Sequence, residues 1–126
     1  MTAQYDFTIN QGSDRTIRFV VKAMLAYHCE NLYKRARLTG YSAAMELRTS
    51  ADAEEAALTL TTSNGKMMLE EDIGYINVYF SHEDTAALKA GKYVYDLEIK
   101  MDEENKVYRI LEGTITVSPE VTKVNG

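Results

Sequence analysis

Two sets of side chains in this chain have types and spacings that could hold an ion or a nucleophile. The first is acidic: Asp102, Glu103 and Glu104 in "MDEENK", Glu112 further on, and Glu70, Glu71 and Asp72 in "EEDIG". Carboxylates supply the hard oxygens that calcium accepts, yet three consecutive positions cannot all point into one cage, and the EF-hand order of ligands with its central Gly is missing. The expectation is a solvated hairpin tip at 102–104 and an acid-rich turn before Gly74. The second set is soft. His28, Cys29 and His82 exhaust the His and Cys of the chain, one short of the four ligands of a structural zinc site and without ligand spacing. Cys29 and His28 do not make a thiolate pair either, because adjacent residues on an extended chain point to opposite faces. "GSDR" at 12–15 sets a serine beside an acid but lacks the G-x-S-x-G elbow, and no glycine-rich phosphate loop is present. No catalytic residue, metal site or cofactor is expected, and the chain reads as a non-enzyme.

The tyrosines say more. There are nine, with no Trp. Tyr93 and Tyr95 fall on the inward phase of a strand and read as core. Tyr75 and Tyr79 alternate with Ile76, Val78 and Phe80, so that strand is apolar on both sides. Such a strand is either central in a sandwich or covered by another protein, and an interface is the preferred reading. The alternative is a glycan-binding module whose exposed tyrosines stack on sugar rings. The irregular stretch "LAYHCENLYKRARLTG" contributes aromatic and basic residues with no sustained period, as in a long loop between two strands. Its Tyr27, Tyr33 and Arg35 join Tyr75 and Tyr79 as candidate interface residues.

The elements that must hold these residues are mostly strands. In "YVYDLEIKM", Tyr93, Tyr95, Leu97, Ile99 and Met101 face one way and Asp96, Glu98 and Lys100 the other, the period of a half-buried antiparallel strand. "YSAAMELR" reads likewise, "YINVYF", "RTIRFVVKAM" and "ALTLTT" are β-branched or aromatic enough for strands, and "KVYRILEGTITVS" is the last long run. Asn-Gly in "SNGK" predicts a two-residue hairpin joining "ALTLTT" to "MMLE"; "EDIG" and "MDEENK" predict two further turns. One short helical turn is expected near 82–89, capped by Ser81 and stopped by Gly91, and a second within "SADAEEAAL". In "KVYRILEGTITVS" the apolar phase switches between Ile110 and Leu111, which predicts a bulge or bend at 111–113, with Gly113 the place where the strand bends or changes sheets.

About seven short strands at intervals of roughly 8 to 12 residues predict an all-β fold, an immunoglobulin-like antiparallel β-sandwich. The Cys and Trp core of antibody domains is absent. At 126 residues, 45% hydrophobic and 26% charged, the chain is expected to form one domain with an extended tail over 119–126. A net charge of -5 argues against a nucleic-acid partner, because phosphate backbones need a Lys/Arg surface. A single Cys gives no intrachain disulfide, which points to a reducing cytoplasm as the place of synthesis. The opening residues leave no room for a signal peptide, so the chain is expected to start near its natural N-terminus, and no apolar run approaches the ~20 residues of a membrane span.

The stretches "YDFTINQGSDRTIRFVVK", "LTGYSAAMELR", "AGKYVYDLEIK" and "RILEGTITVSPEVT" resemble, in the same order, a family of small tail-gene-cluster proteins of bacteriophages and prophages. More distantly, the chain is similar to the immunoglobulin-like N-terminal domain of phage baseplate upper proteins. It departs from the pattern at "MLAYHCENLYKRARLTG", where such proteins carry a short polar hairpin. The resemblance implies a virion structural protein, made in the host bacterial cytoplasm. It would attach to other phage structural proteins of the baseplate, neck or capsid, as a homo-oligomer or symmetric multi-copy assembly, with no nucleic acid, membrane or cofactor partner. The family offers no catalytic residues to carry over.

Overall fold

A computed structural model of the chain describes residues 2–21 and 38–122. Among these residues, nine strands and one helix follow in order: β1 (Ala3–Gln4), β2 (Phe7–Asn10), β3 (Arg15–Val20), β4 (Tyr41–Arg48), β5 (Leu58–Thr61), β6 (Met67–Glu70), β7 (Tyr75–Phe80), α1 (His82–Ala87), β8 (Gly91–Met101) and β9 (Lys106–Ser118). They form two sheets. The larger runs β5-β4-β8-β9, with β1 and β2 both on the far side of β9; the smaller runs β3-β7-β6. Every pairing is antiparallel except those of β1 and β2 with β9, which are parallel. This is an all-β, immunoglobulin-like sandwich. The two strands beyond the expected seven are β1 and β2, the pieces of a broken first strand. The wholly antiparallel arrangement expected from sequence is corrected at that edge.

Alternation along each strand decides which residues meet between the sheets. From the larger sheet come Ala43, Met45 and Leu47 of β4 and Tyr93, Tyr95, Leu97 and Ile99 of β8; from the smaller come Phe19, Met67, Ile76, Val78 and Phe80, all buried. Each large apolar side chain removed from water in this way contributes on the order of 1.5–3 kcal/mol. Phe7 joins the layers: its ring lies edge-on to Phe80 at 6.3 Å and to Tyr95 at 5.4 Å. Tyr93, at the start of β8, donates its hydroxyl to the Lys89 carbonyl at 2.6 Å, the tyrosine corner of immunoglobulin-like domains.

The phase switch in β9 is a bulge. Leu97 pairs with Leu111 but Glu98 pairs with Arg109, so Ile110 is the extra residue, and both Ile110 and Leu111 are buried. The bulge sits just before the expected 111–113, and β9 stays in its sheet throughout. Gly113 serves a different purpose: the chain between β1 and β2 crosses directly over it. A Cβ there would come 2.1 Å from the Tyr5 carbonyl oxygen, well inside contact distance.

Three local expectations are corrected. "SNGK" is not a hairpin, since β5 and β6 lie in different sheets; the turn lets the chain cross from one layer to the other. Asn64 builds it by accepting from the N–H groups of Thr61 and Lys66, both at 3.0 Å, and donating to Thr59 at 3.0 Å. "SADAEEAAL" holds no helix but a loop, in which Arg48 donates to the Ala53 carbonyl at 2.8 Å and Ala57 to Leu47 at 2.7 Å. The helix α1 starts as expected, with the Ser81 hydroxyl accepting from the Asp84 N–H, but it ends at Leu88 in extended backbone. Gly91, at φ 139°, opens β8 instead of stopping the helix.

Candidate functional site

The outer face of the smaller sheet gathers the tyrosines singled out from sequence. Since β7 alternates, Ile76, Val78 and Phe80 enter the core and Tyr75, Asn77 and Tyr79 line the outside, half-buried at both tyrosines. Register adds Arg18 and Val20 from β3 and Met68 and Glu70 from β6. Asn77 is only 7% exposed although it points outward, because its neighbours close over it. Its amide accepts from Arg18 Nε at 3.2 Å and donates to Glu70 Oε2 at 2.9 Å, and Arg18 Nε stands 3.4 Å from the same carboxylate. The Arg18 guanidinium lies over the Tyr75 ring at 4.9 Å from its centroid, a cation–π contact that holds both side chains in place. On the other flank the Tyr79 hydroxyl lies 4.0 Å from the Met68 sulfur.

The centre of this face is thus a fixed polar tie, and its flanks are apolar: Met68 is 59% and Val20 44% exposed. Rigid aromatics, Met and Arg around satisfied polar groups are the composition of protein interface cores. No group on the face is arranged as nucleophile and base. Sequence reasoning set Tyr75 and Tyr79 on this outer face and took Glu70 only as a turn acid; it did not bring Arg18, Asn77 and Glu70 together beside them. The available signal was the strand phase of "RTIRFV" and "MMLE" combined with β7, which requires knowing that β7 is the middle strand. Tyr27, Tyr33 and Arg35, with His28, Cys29 and the expected loop at 25–37, lie outside the described residues.

Three of the other suggested chemical groups, Asp102, Glu104 and His82, have local partners. Asp102 accepts from the Ser42 hydroxyl at 3.1 Å and Glu104 lies 3.7 Å from Lys106, so the hairpin tip ties to its neighbours. His82 and Asp14 join α1 to the turn before β3: the Asp14 carboxylate accepts the His82 backbone N–H at 2.5 Å and lies 3.0 Å from its Nδ1. Both contacts hold the Asp14 carboxyl below its usual pKa. Thr85, buried in α1, donates to the Ser13 carbonyl at 2.9 Å. Among the described residues no three His, Cys, Asp or Glu side chains are grouped to hold a metal ion. No helix among them is long and apolar enough to cross a membrane, which says nothing of strands.

A second surface is concave. On the outer face of the larger sheet a groove of about 600 Å³ runs over β4, β8 and β9, with Asp6, Glu46, Asp96, Glu98 and Glu112 in its walls. Its two arginines are engaged: Arg48 meets Glu46 at 2.7 Å and Arg109 meets Asp96 at 3.3 Å. Glu98 also borders an adjoining hollow of about 310 Å³, where Ser42, Ala44 and Thr61 leave room beside Val107. The small side chains of β4 and β5 create this hollow.

The sequence matches no known family profile and no curated protein. Among solved structures, the chain is similar to Listeria monocytogenes InlP, with a TM-score of 0.50 and 20% identity, over 93% of this chain and 28% of that one. It is similar also to a chicken TCR, with a TM-score of 0.53 and 11% identity, over 95% of this chain and 55% of that one. The chain therefore spans a minor part of the first and about half of the second. At these identities the likeness is one of fold, and it agrees with the strand pairing: the chain is an all-β, immunoglobulin-like sandwich.

Proposed function

We propose that the chain is a non-enzymatic structural protein of a bacteriophage virion, a small sandwich that attaches to a baseplate, neck or capsid protein in a repeated assembly. The carrying observation is the outer face of β3, β7 and β6. Tyr75, Tyr79, Met68 and Val20 there surround a polar tie that is already satisfied within the chain. Such a face offers apolar area to a partner without asking it to pair a buried charge. The resemblance of the strand motifs to phage tail-cluster proteins supports the setting. The glycan reading is less favoured, because Arg18 already occupies one side of the Tyr75 ring.

Replacing Tyr79 and Met68 together by Ser tests the reading in assembled particles. The expected result is loss of the chain from purified virions, detected by mass spectrometry, with the thermal midpoint of the isolated chain within a few degrees of the parent. Undiminished incorporation sinks the assignment of this face. Glycan-array binding by the parent chain, abolished by Tyr79→Ala, replaces the structural reading with the glycan one.

A further inference from the structure

We propose that Asn64–Gly65 is a site of spontaneous deamidation, held back by the fold because the Asn64 carboxamide also caps the open edge of β5. The proposal concerns the chain itself and is independent of the partner met by the tyrosine face.

The cap comes first. β5 is the last strand of the larger sheet, and among the described residues no strand lies beyond it. Bonding groups alternate between the two sides of a strand. The Thr62 N–H turns inward to the Ala43 carbonyl at 3.1 Å, so the Thr61 N–H and the Thr59 carbonyl turn outward. Both are taken by one side chain: Asn64 Oδ1 accepts from the Thr61 N–H at 3.0 Å, and Nδ2 donates to the Thr59 carbonyl at 3.0 Å. A residue of a parallel strand would hold the two sides of Leu60 in this way, with its own N–H and C=O. The carboxamide thus stands where a further strand would begin. No charged residue and no Pro falls between Glu55 and Lys66. Apart from its shortness, β5 therefore carries none of the usual guards of an exposed edge except this side chain.

The reaction comes second. Oδ1 also accepts from the Lys66 N–H at 3.0 Å, which folds the side chain back across Gly65. Gly65 has no side chain to shield its nitrogen. Among the described residues, no atom beyond its chain neighbours stands within 4 Å of the place a Cβ would take. Deprotonated by solvent base, the Gly65 nitrogen bonds to Asn64 Cγ. The Cγ–Nδ2 bond breaks, and Nδ2 leaves as ammonia with a proton from water. One water then opens the five-membered imide at either carbonyl, giving an aspartate or an isoaspartate. Closing that ring requires the carboxamide to leave Thr59 and Thr61, so the bonds that cap the edge are the ones that delay the reaction.

The products differ from the amide where it matters to the edge, because a carboxylate only accepts. The aspartate can keep the N–H groups of Thr61 and Lys66, but it has no donor for the Thr59 carbonyl. The isoaspartate also lengthens the main chain between Ser63 and Gly65 and places its carboxylate on Cα, away from both groups of β5. Deamidation therefore uncaps the edge, partly in one product and fully in the other.

Tryptic peptide mapping by mass spectrometry, during incubation of the purified full chain in mildly alkaline buffer, tests this. The peptide ending at Lys66 is read apart from the second Asn-Gly pair at 125–126. Conversion at Asn64 is expected, about tenfold or more slower than in a free peptide of residues 59–67, because several bonds must be released before the ring closes. Thr61→Pro removes an outward N–H of an edge strand and is expected to speed conversion in the folded chain severalfold. If that variant does not fold, Thr61→Ala makes the same comparison, since it removes the hydroxyl that receives the Asn64 N–H at 2.9 Å. In the isoaspartate form, separated by chromatography, the Thr61 amide should exchange its hydrogen faster while the amides of β8 are unchanged. No conversion at Asn64, conversion as fast as in the peptide, a folded Thr61 variant that converts no faster than the parent, or an isoaspartate form with unaltered Thr61 exchange overturns the proposal.

Discussion

Gly113 is the position where one added methyl group does most harm. The Tyr5 carbonyl oxygen stands 2.1 Å and Asp6 Oδ1 2.7 Å from the Cβ that Ala would bring, and the first of these is main chain that cannot swing aside. Gly113→Ala is expected to destabilise the fold by about 2–3 kcal/mol in urea titrations; an unchanged midpoint would show that the crossing segment moves freely. The same crossing is held from below by Tyr95, whose hydroxyl donates to the Tyr5 carbonyl at 2.5 Å. Burial, with Asp6 and Tyr5 nearby, pushes the Tyr95 pKa upward, so the group stays a donor. Tyr95→Phe keeps the ring against Phe7 and removes the bond, for a loss of about 1 kcal/mol. At the acid end, Asp14 has a folded pKa below its usual value because of its contacts with His82. Its contribution is present above the unfolded pKa of about 3.9 and fades as pH falls through the folded value. Asp14→Asn should therefore flatten the stability profile only below about pH 4, and a difference confined to neutral pH would contradict this. Sequence made Tyr95 a core residue and Gly113 a special one. The reasons lay at Tyr5, whose closeness to either is a matter of tertiary path and not of any nearby pattern.

At the level of elements, strand phase was the legible quantity, and strand partners were not. Period-2 burial in β4 and β8 follows the alternation of "YSAAMELR" and "YVYDLEIKM", since a one-residue slip would turn every apolar side chain to solvent. The switch of phase in β9 was legible for the same reason, and a bulge at Ile110 resolves it. The Asn-Gly pair misled because its composition suits a hairpin, while the edge geometry of two layers demands a crossing. There the Asn64 side chain, rather than a positive φ at Asn64, forms the turn. Asn64→Ala should accordingly cost about 1–2 kcal/mol by losing bonds to Thr61, Thr59 and Lys66. Asn64→Gly should cost at least as much, whereas in a true two-residue hairpin Gly would be welcome at that position. A thermal melt in which the Gly variant matches the parent would restore the hairpin account.

The whole molecule presents two unlike faces on a two-layer sandwich, and replacing the segment at 25–37 tests whether assembly can be separated from folding. Its flanks show why. Val21 donates to the Gly74 carbonyl at 2.9 Å and Leu38 to the Glu71 carbonyl at 2.9 Å, so both ends of the intervening chain are fastened to one four-residue turn. A short linker can join them without pulling β3 from β7 or β4 from β8. Loop closure grows only with the logarithm of length, so trimming thirteen residues to about four lowers its entropic cost by roughly 1 kcal/mol. A chain in which 25–37 is replaced by a short Gly-Ser turn should therefore melt at or slightly above the parent temperature. If that segment contacts a neighbouring virion protein, the same variant should be missing from particles. Sequence exposed the segment through its missing periodicity, but it could not show that its flanks converge, because that depends on hydrogen bonds to a turn more than thirty residues away. A truncated chain that fails to fold would place the segment within the scaffold, whereas one that folds and still assembles would move the contact to the tyrosine face alone.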